Sequence, residues 1–173
     1  MSESPRYRLL VWLAASAAAC GAIAWVAVGL QKAGQAPLGI FSIGVGLAVG
    51  GVIVGIGRFL RIDGRWWFLC AAGVLSVATV ATEHVLLYRD YVSAWHAHRA
   101  ANPALEVFRP DATPKGLWEY LLDSAKTGAA EDGAEDGDKP AKRWLFWLVD
   151  LILVVVGAVF VVVASGRRQW VSK

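Results

Sequence analysis

The chain has 173 residues, of which 57% are hydrophobic and only 18% are charged. This composition excludes an ordinary soluble domain of the same length and indicates a protein embedded in a lipid bilayer. The formal net charge is +3, but the basic residues flank the apolar runs instead of massing on one face, so a nucleic-acid partner is not expected.

Four apolar runs are each about long enough to cross the hydrocarbon core of a bilayer as an α-helix. We predict transmembrane helices over residues 9–30, 38–57, 66–88 and 144–165. The expected fold is an all-α integral membrane protein, a four-transmembrane-helix bundle with a short extracytoplasmic helical insertion between the third and fourth helices. A polar head, residues 1–8, precedes the first span, and a polar tail, residues 166–173, follows the last.

The first span has a competing interpretation. Basic residues followed by an apolar stretch and the segment Ala17-Ala18-Ala19-Cys20 resemble a signal peptide that ends in a lipoprotein cleavage site. However, the sequence stays apolar for ten residues beyond Cys20, where a mature lipoprotein becomes polar. We therefore predict a retained span and interpret both Cys20 and Cys70 as small core residues.

The second span is rich in glycine. Gly46 and Gly50, and likewise Gly51 and Gly55, have the four-residue spacing that allows two helix backbones to approach closely in lipid. We predict that these four glycines serve helix packing. The alternative is that they line a pore or form a hinge.

Basic residues predict the orientation of the chain. The amino-terminal head, the loop after the second span and the carboxyl-terminal tail hold eight Lys and Arg residues, whereas the loop after the first span holds only Lys32. By the positive-inside rule both termini are expected in the cytoplasm and residues 89–143 outside it, with a bacterial inner membrane as the expected location.

The long third loop contains two predicted segments. The third span continues as a helix to about residue 101, where Asn102-Pro103 ends it, because proline disfavours helical geometry at the preceding residue. An amphipathic helix is predicted over residues 114–126, with Thr113 as its cap and Pro114 in its first turn. Its apolar face is expected to lie on the membrane surface, to fold back over the bundle or to dock on a partner. That face consists of Leu117, Trp118, Leu121 and Leu122.

A flexible acidic linker is predicted over residues 127–143, where the sequence Ala-Glu-Asp-Gly occurs twice in succession. Its acids lack the ligand spacing of an EF-hand, so calcium binding is not expected.

Ionisable groups inside the spans mark the candidate site. Glu83 follows Ser76 and Thr79 at helical spacing, and Asp150 lies in the fourth span at a similar distance from the outer end. Intramembrane carboxylates are costly and are therefore candidates for function. We predict a buried polar site at Glu83, His84 and Asp150. A structural carboxyl pair or hydrogen-bonded helix clamp is the favoured interpretation, and a proton- or cation-handling site is the alternative.

No motif for catalysis, cofactor binding or a metal site is recognised, and two histidines spaced as His96 and His98 face different ways on a helix. Three functional hypotheses follow. The first is an accessory or scaffolding subunit of a larger membrane complex, whose partners are the lipid bilayer and other membrane subunits or a second copy. The second is a small proton- or cation-handling transporter or channel that uses Glu83 and Asp150. The third and least favoured is a membrane-embedded enzyme.

Overall fold

The computed structural model describes residues 5–33, 40–62, 65–102, 112–127 and 140–167. Within these ranges the chain forms helices and no strands. The helices are α1 (Pro5–Lys32), α2 (Ile40–Phe59), α3 (Arg65–Ala101), α4 (Leu117–Thr127) and α5 (Pro140–Arg167). Four of them, all except α4, are long and apolar enough to cross a membrane. The predicted all-α bundle with four transmembrane helices is confirmed.

The ends of the helices differ from the predicted boundaries by a few residues. Helices α1, α3 and α5 extend past the apolar runs at both ends, whereas α2 as described covers Ile40–Phe59. The predicted linker, residues 127–143, contains Thr127, the last residue of α4, and residues 140–143 at the start of α5. Its repeat lies outside the described residues, as does the end of the predicted tail, residues 168–173.

The amphipathic helix begins at Leu117, three residues later than predicted. The amide of Tyr120 donates to the carbonyl of Gly116 at 2.8 Å, so Gly116 accepts the first hydrogen bond of the helix. Thr113 and Pro114 therefore precede the helix instead of capping it.

The described chain forms two compact units. The bundle unit comprises Met1–Glu83 and Leu148–Lys173, and the loop unit comprises His84–Trp147. Helix α3 contributes its first part to the bundle unit and its second part to the loop unit.

At one end of the bundle unit, the core contains the fully buried side chain of Trp12. Its indole N–H donates to the carbonyl of Ile53 at 3.0 Å, and its ring centroid lies 5.1 Å from that of Phe68. Gly57 leaves room for this pair, since a Cβ there would contact the Phe68 ring and lie 3.1 Å from Trp12 Nε1. The beginnings of α1 and α3 thus meet the end of α2, so α2 runs opposite to both.

The second close contact of the bundle unit joins α2 to α5. A Cβ on Gly46 would lie 3.0 Å from the Cα of Val154, and one on Gly50 would lie 2.6 Å from the carbonyl oxygen of Ala158. From the other side, a Cβ on Gly157 would lie 3.1 Å from the carbonyl oxygen of Ile43. The residue numbers rise together along the contact, so α2 and α5 run parallel, as alternate crossings of a membrane require.

One hydrogen bond lies at each end of the interface between α2 and α5. At one end the Ser42 hydroxyl donates to Asp150 Oδ1 at 2.6 Å. At the other end the Arg58 guanidinium donates at 3.0 Å to the carbonyl of Ser165, one of the last carbonyls of α5, which have no partner within their own helix. We refer to these ends of the bundle as the Asp150 end and the Trp12 end.

Helix α2 ends in a Schellman motif. The amide of Ile62 donates to the carbonyl of Gly57 at 2.9 Å, and the amide of Arg61 donates to that of Arg58 at 3.1 Å. Arg61 takes the left-handed position with φ 53°, which glycine usually occupies.

In the loop unit, residues 112–127 fold back along α3. Tyr120 of α4 stacks on Tyr91 with ring centroids 4.9 Å apart and meets the Tyr88 ring at 5.6 Å. The Tyr88 hydroxyl donates to the carbonyl of Lys115 at 3.1 Å, and Arg99 donates to that of Ala112 at 2.6 Å. The extension of α3 thus serves as the surface on which the amphipathic helix packs.

Candidate functional site

The inward face of α3 is polar. Ser76, Thr79 and Glu83 follow one another at helical spacing and are all buried, whereas Val74 and Val77 on the opposite side are exposed. This arrangement suits a helix in lipid, where apolar side chains face the hydrocarbon and polar ones turn to the bundle interior. The Thr79 hydroxyl donates to the carbonyl of Leu75, one turn earlier, at 2.7 Å and also interacts with the Cys20 thiol of α1.

Asp150 is placed by the α2–α5 contact. Its carboxylate is half-buried and accepts the hydrogen bond from Ser42, the third residue of α2. The amides of the first turn of a helix carry partial positive charge that favours a nearby anion. Ser42 thus supplies Asp150 with a hydrogen-bond donor from the first turn of α2.

Glu83 lies at the same level of the bundle. Gly57 of α2 contacts Phe68 of α3, and fifteen residues separate Phe68 from Glu83 just as fifteen separate Gly57 from Ser42. In antiparallel helices each of these distances corresponds to a rise of about 22 Å. This counting places Glu83 level with Ser42 and its partner Asp150, and the two carboxyl groups interact electrostatically.

The Glu83 carboxyl differs from that of Asp150 in its surroundings. Glu83 is 8% exposed, and its Oε1 atom has no hydrogen-bond partner among the described residues. The fully buried hydroxyls of Ser16 and Ser76 are likewise without a partner in that part of the chain. Buried polar atoms normally find partners, so Glu83 Oε1 marks a position where a proton, an ion or water can be held.

The residues of the predicted site belong to two compact units. Glu83 and Asp150 both belong to the bundle unit, whereas His84 is the first residue of the loop unit. The predicted part of His84 in this site stays a prediction.

The four predicted packing glycines separate into two pairs. Gly46 and Gly50 lie against α5, as described above. Gly51 and Gly55 have nothing within 4 Å of the position of a Cβ among the described residues. The two pairs lie on different faces of α2, and helix packing by Gly51 and Gly55 stays a prediction.

The apolar residues predicted as a contact surface lie on α4. Trp118 and Leu117 are exposed, whereas Leu121 and Leu122 are half-buried. Tyr120, at the edge of that face, makes the aromatic contact with α3 instead. Its partial burial, with a smaller effect of the Asp90 and Tyr91 charges, raises the pKa of the Tyr120 hydroxyl.

Sequence reasoning missed Ser42 and Trp12. The signal for Ser42 is a hydroxyl four residues before Gly46, which continues the small-residue spacing of α2. Trp12 resembles an interfacial tryptophan in the sequence, and only its contacts with Ile53 and Phe68 identify it as a core residue.

No protein-family model, curated protein or solved structure matches the chain. The fold and the site define the class of the protein: it is a multi-pass, all-α membrane protein. Its bundle holds two interacting carboxyl groups at one end.

Proposed function

We propose that the protein is an accessory or scaffolding subunit of a larger membrane assembly. The observation that supports this proposal is a row of small residues on the exposed face of α2, which we call the outer seam. It consists of Gly44, Ala48, Gly51 and Gly55.

The outer seam has the spacing of a helix-packing surface. Its members follow one another at intervals of four, three and four residues, so they form one stripe along the helix. A Cβ on any of its three glycines would meet nothing within 4 Å among the described residues, and Ile43 and Leu47 beside it are 40% and 41% exposed. Helices associate in lipid through such small residues, because close backbone approach gains van der Waals contact.

The proposed occupant of the outer seam is a transmembrane helix of another subunit. Within the chain, α2 already uses Gly46 and Gly50 to contact α5, so the outer seam is a second, separate small-residue face on the same helix. Helix association of this kind requires no polar group, and none occurs in the outer seam.

The proposal includes location and orientation. We place the protein in a bacterial inner membrane with both termini in the cytoplasm and residues 89–143 outside. The excess of Lys and Arg in the head, second loop and tail supports this orientation.

The test combines photo-crosslinking of the protein to its partner with measurement of the partner's complex in cells that lack this chain. A photoreactive amino acid at Ala48 is expected to crosslink the protein to one defined membrane protein in its native cells, whereas the same group at Val77, exposed on α3, is not. Deleting the chain should lower the amount of that partner's complex, and the wild-type chain should restore it. The double variant Gly51→Leu/Gly55→Leu should fail to restore it.

Gly29→Leu is the matched control, because Gly29 is also exposed, with nothing near its Cβ position among the described residues. This control should restore the complex. Crosslinks from Ala48 to a second copy alone, or full restoration by the double variant, would overturn the proposal.

A further inference from the structure

The Asp150 end of the bundle contains a carboxyl group that the packing of the helices leaves unexplained. Glu83 is nine-tenths buried, and Oε1 is without a hydrogen-bond partner in the described part of the chain. Asp150 interacts with it from α5 and already has a donor in Ser42. An uncompensated carboxylate inside a membrane bundle is costly, so its charge must be removed or balanced.

The charged groups around this end of the bundle are few. On the helices that pack there, α1 ends in Lys32, α5 contributes Asp150, and residues 40–50 of α2 contribute none. Along the same helices, His84 and Arg89 follow Glu83, and Arg143 precedes Asp150 by two turns. A negative charge on Asp150 opposes a second negative charge on Glu83.

We propose that Glu83 and Asp150 form a proton-binding site in which the pair holds one proton, carried by Glu83. We assign the proton to Glu83 because Asp150 accepts the Ser42 hydrogen bond, whereas Glu83 Oε1 has no donor among the described residues. A proton suits this site better than a divalent metal ion. In the described residues no group of three or more His, Cys, Asp or Glu side chains is arranged to hold a metal.

The site does not depend on the subunit role proposed above, because it lies within the bundle unit and involves no residue of the outer seam. The hydroxyl of Ser76 lies on the same face of α3, seven residues or about 10 Å deeper. Water at that hydroxyl would extend the polar environment inward from Glu83.

A lipid-soluble carbodiimide tests the proposal, because it reacts with protonated carboxyl groups in apolar surroundings. The full-length protein in detergent or liposomes is treated at pH 7 and pH 8, and the modified residue is identified by mass spectrometry of its peptides. We expect Glu83 to be modified at both pH values and the exposed Glu119 to remain unmodified.

Two variants report on the pair. In Asp150→Asn the opposing charge is absent, so modification of Glu83 at pH 8 should fall roughly tenfold, equivalent to a change of one pH unit in its titration. In Ser42→Ala, which keeps both carboxyl groups, Asp150 loses its donor and takes a larger share of the proton, so carbodiimide modification should appear at Asp150 as well as at Glu83. Infrared spectra should show the carbonyl band of a protonated carboxyl group at pH 7 that disappears in Glu83→Gln.

The wild-type experiments alone can overturn the proposal, whether or not the variants fold. Absence of both Glu83 modification and a protonated carboxyl band at pH 7 would show that both groups are ionised. Protection of Glu83 from the carbodiimide by sodium or potassium at constant pH would show that the site binds a cation instead of a proton. Equal modification of the wild type and a folded Asp150→Asn variant would show that the two carboxyl groups do not act as a pair.

Discussion

Individual residues in the bundle unit use the backbone of neighbouring helices as hydrogen-bond partners. The Trp12 indole binds the carbonyl of Ile53, and the Arg58 guanidinium binds that of Ser165. Both donors find acceptors on a helix that is distant in sequence. For the buried Trp12 indole this contact is needed in a bilayer, since water is not available to satisfy a buried donor.

The contribution of the Trp12 hydrogen bond is measurable by Trp12→Phe. This substitution keeps an aromatic ring against Phe68 but removes the indole N–H, so we expect a loss of about 1 kcal/mol of stability. Trp12→Ala should cost about 3–5 kcal/mol, because it also leaves a cavity in the core. Thermal unfolding in detergent measures both effects.

Trp25→Phe is the control for this comparison, because Trp25 is 71% exposed on the same helix. It should change stability by less than about 0.5 kcal/mol. Equal losses for Trp12→Phe and Trp25→Phe would mean that the hydrogen bond to Ile53 contributes nothing.

Among the elements, α2 carries two small-residue faces with different surroundings. The face with Gly46 and Gly50 is in contact with α5, whereas the face with Gly51 and Gly55 is exposed. The two faces have the same four-residue spacing and are displaced by only a few positions along the chain. The same glycine spacing thus packs against the α5 backbone on one face of α2 and is exposed on the other face.

Alanine substitutions distinguish the two faces. Gly50→Ala places a Cβ 2.6 Å from the carbonyl oxygen of Ala158 and should therefore destabilise the bundle by about 1–3 kcal/mol. Gly51→Ala meets open space among the described residues and should leave stability unchanged or raise it by about 0.5–1 kcal/mol, since alanine is the better helix former. Unfolding of the monomeric protein in detergent measures both. A larger loss for Gly51→Ala than for Gly50→Ala would contradict this description of α2.

For the whole molecule, we predict that both termini lie on one side of the membrane, because four crossings return the chain to its starting side. The contacts of the bundle unit agree with alternate crossings: α2 and α5 run parallel to each other and opposite to α1 and α3. The orientation relative to the cytoplasm follows from the basic residues alone and stays a prediction.

Cysteine accessibility tests that orientation. In a Cys70→Ala background, which removes the exposed native thiol, a cysteine at Ala134 should react in intact cells with a reagent that does not cross the membrane. A cysteine at Gly64, in the loop between α2 and α3, should react only after the cells are opened. The reverse result would place the termini outside.

The sequence by itself determined the helical class, the number of spans and the polar face of α3. These features depend on local causes, since a helix must satisfy its own backbone hydrogen bonds in lipid and must hide its few polar side chains there. The sequence also led to Glu83 and Asp150 as the candidate site, because charges are rare in apolar runs.

Only the tertiary structure decided which neighbours these residues have. It brings Ser42 to Asp150, leaves Glu83 Oε1 without a described partner and selects Gly46 and Gly50 over Gly51 and Gly55 for contact with α5. The physical reason is that lipid and the protein interior are similarly apolar, so hydrophobicity does not mark the face of α2 that is buried. That choice depends on the fit between helices distant in sequence.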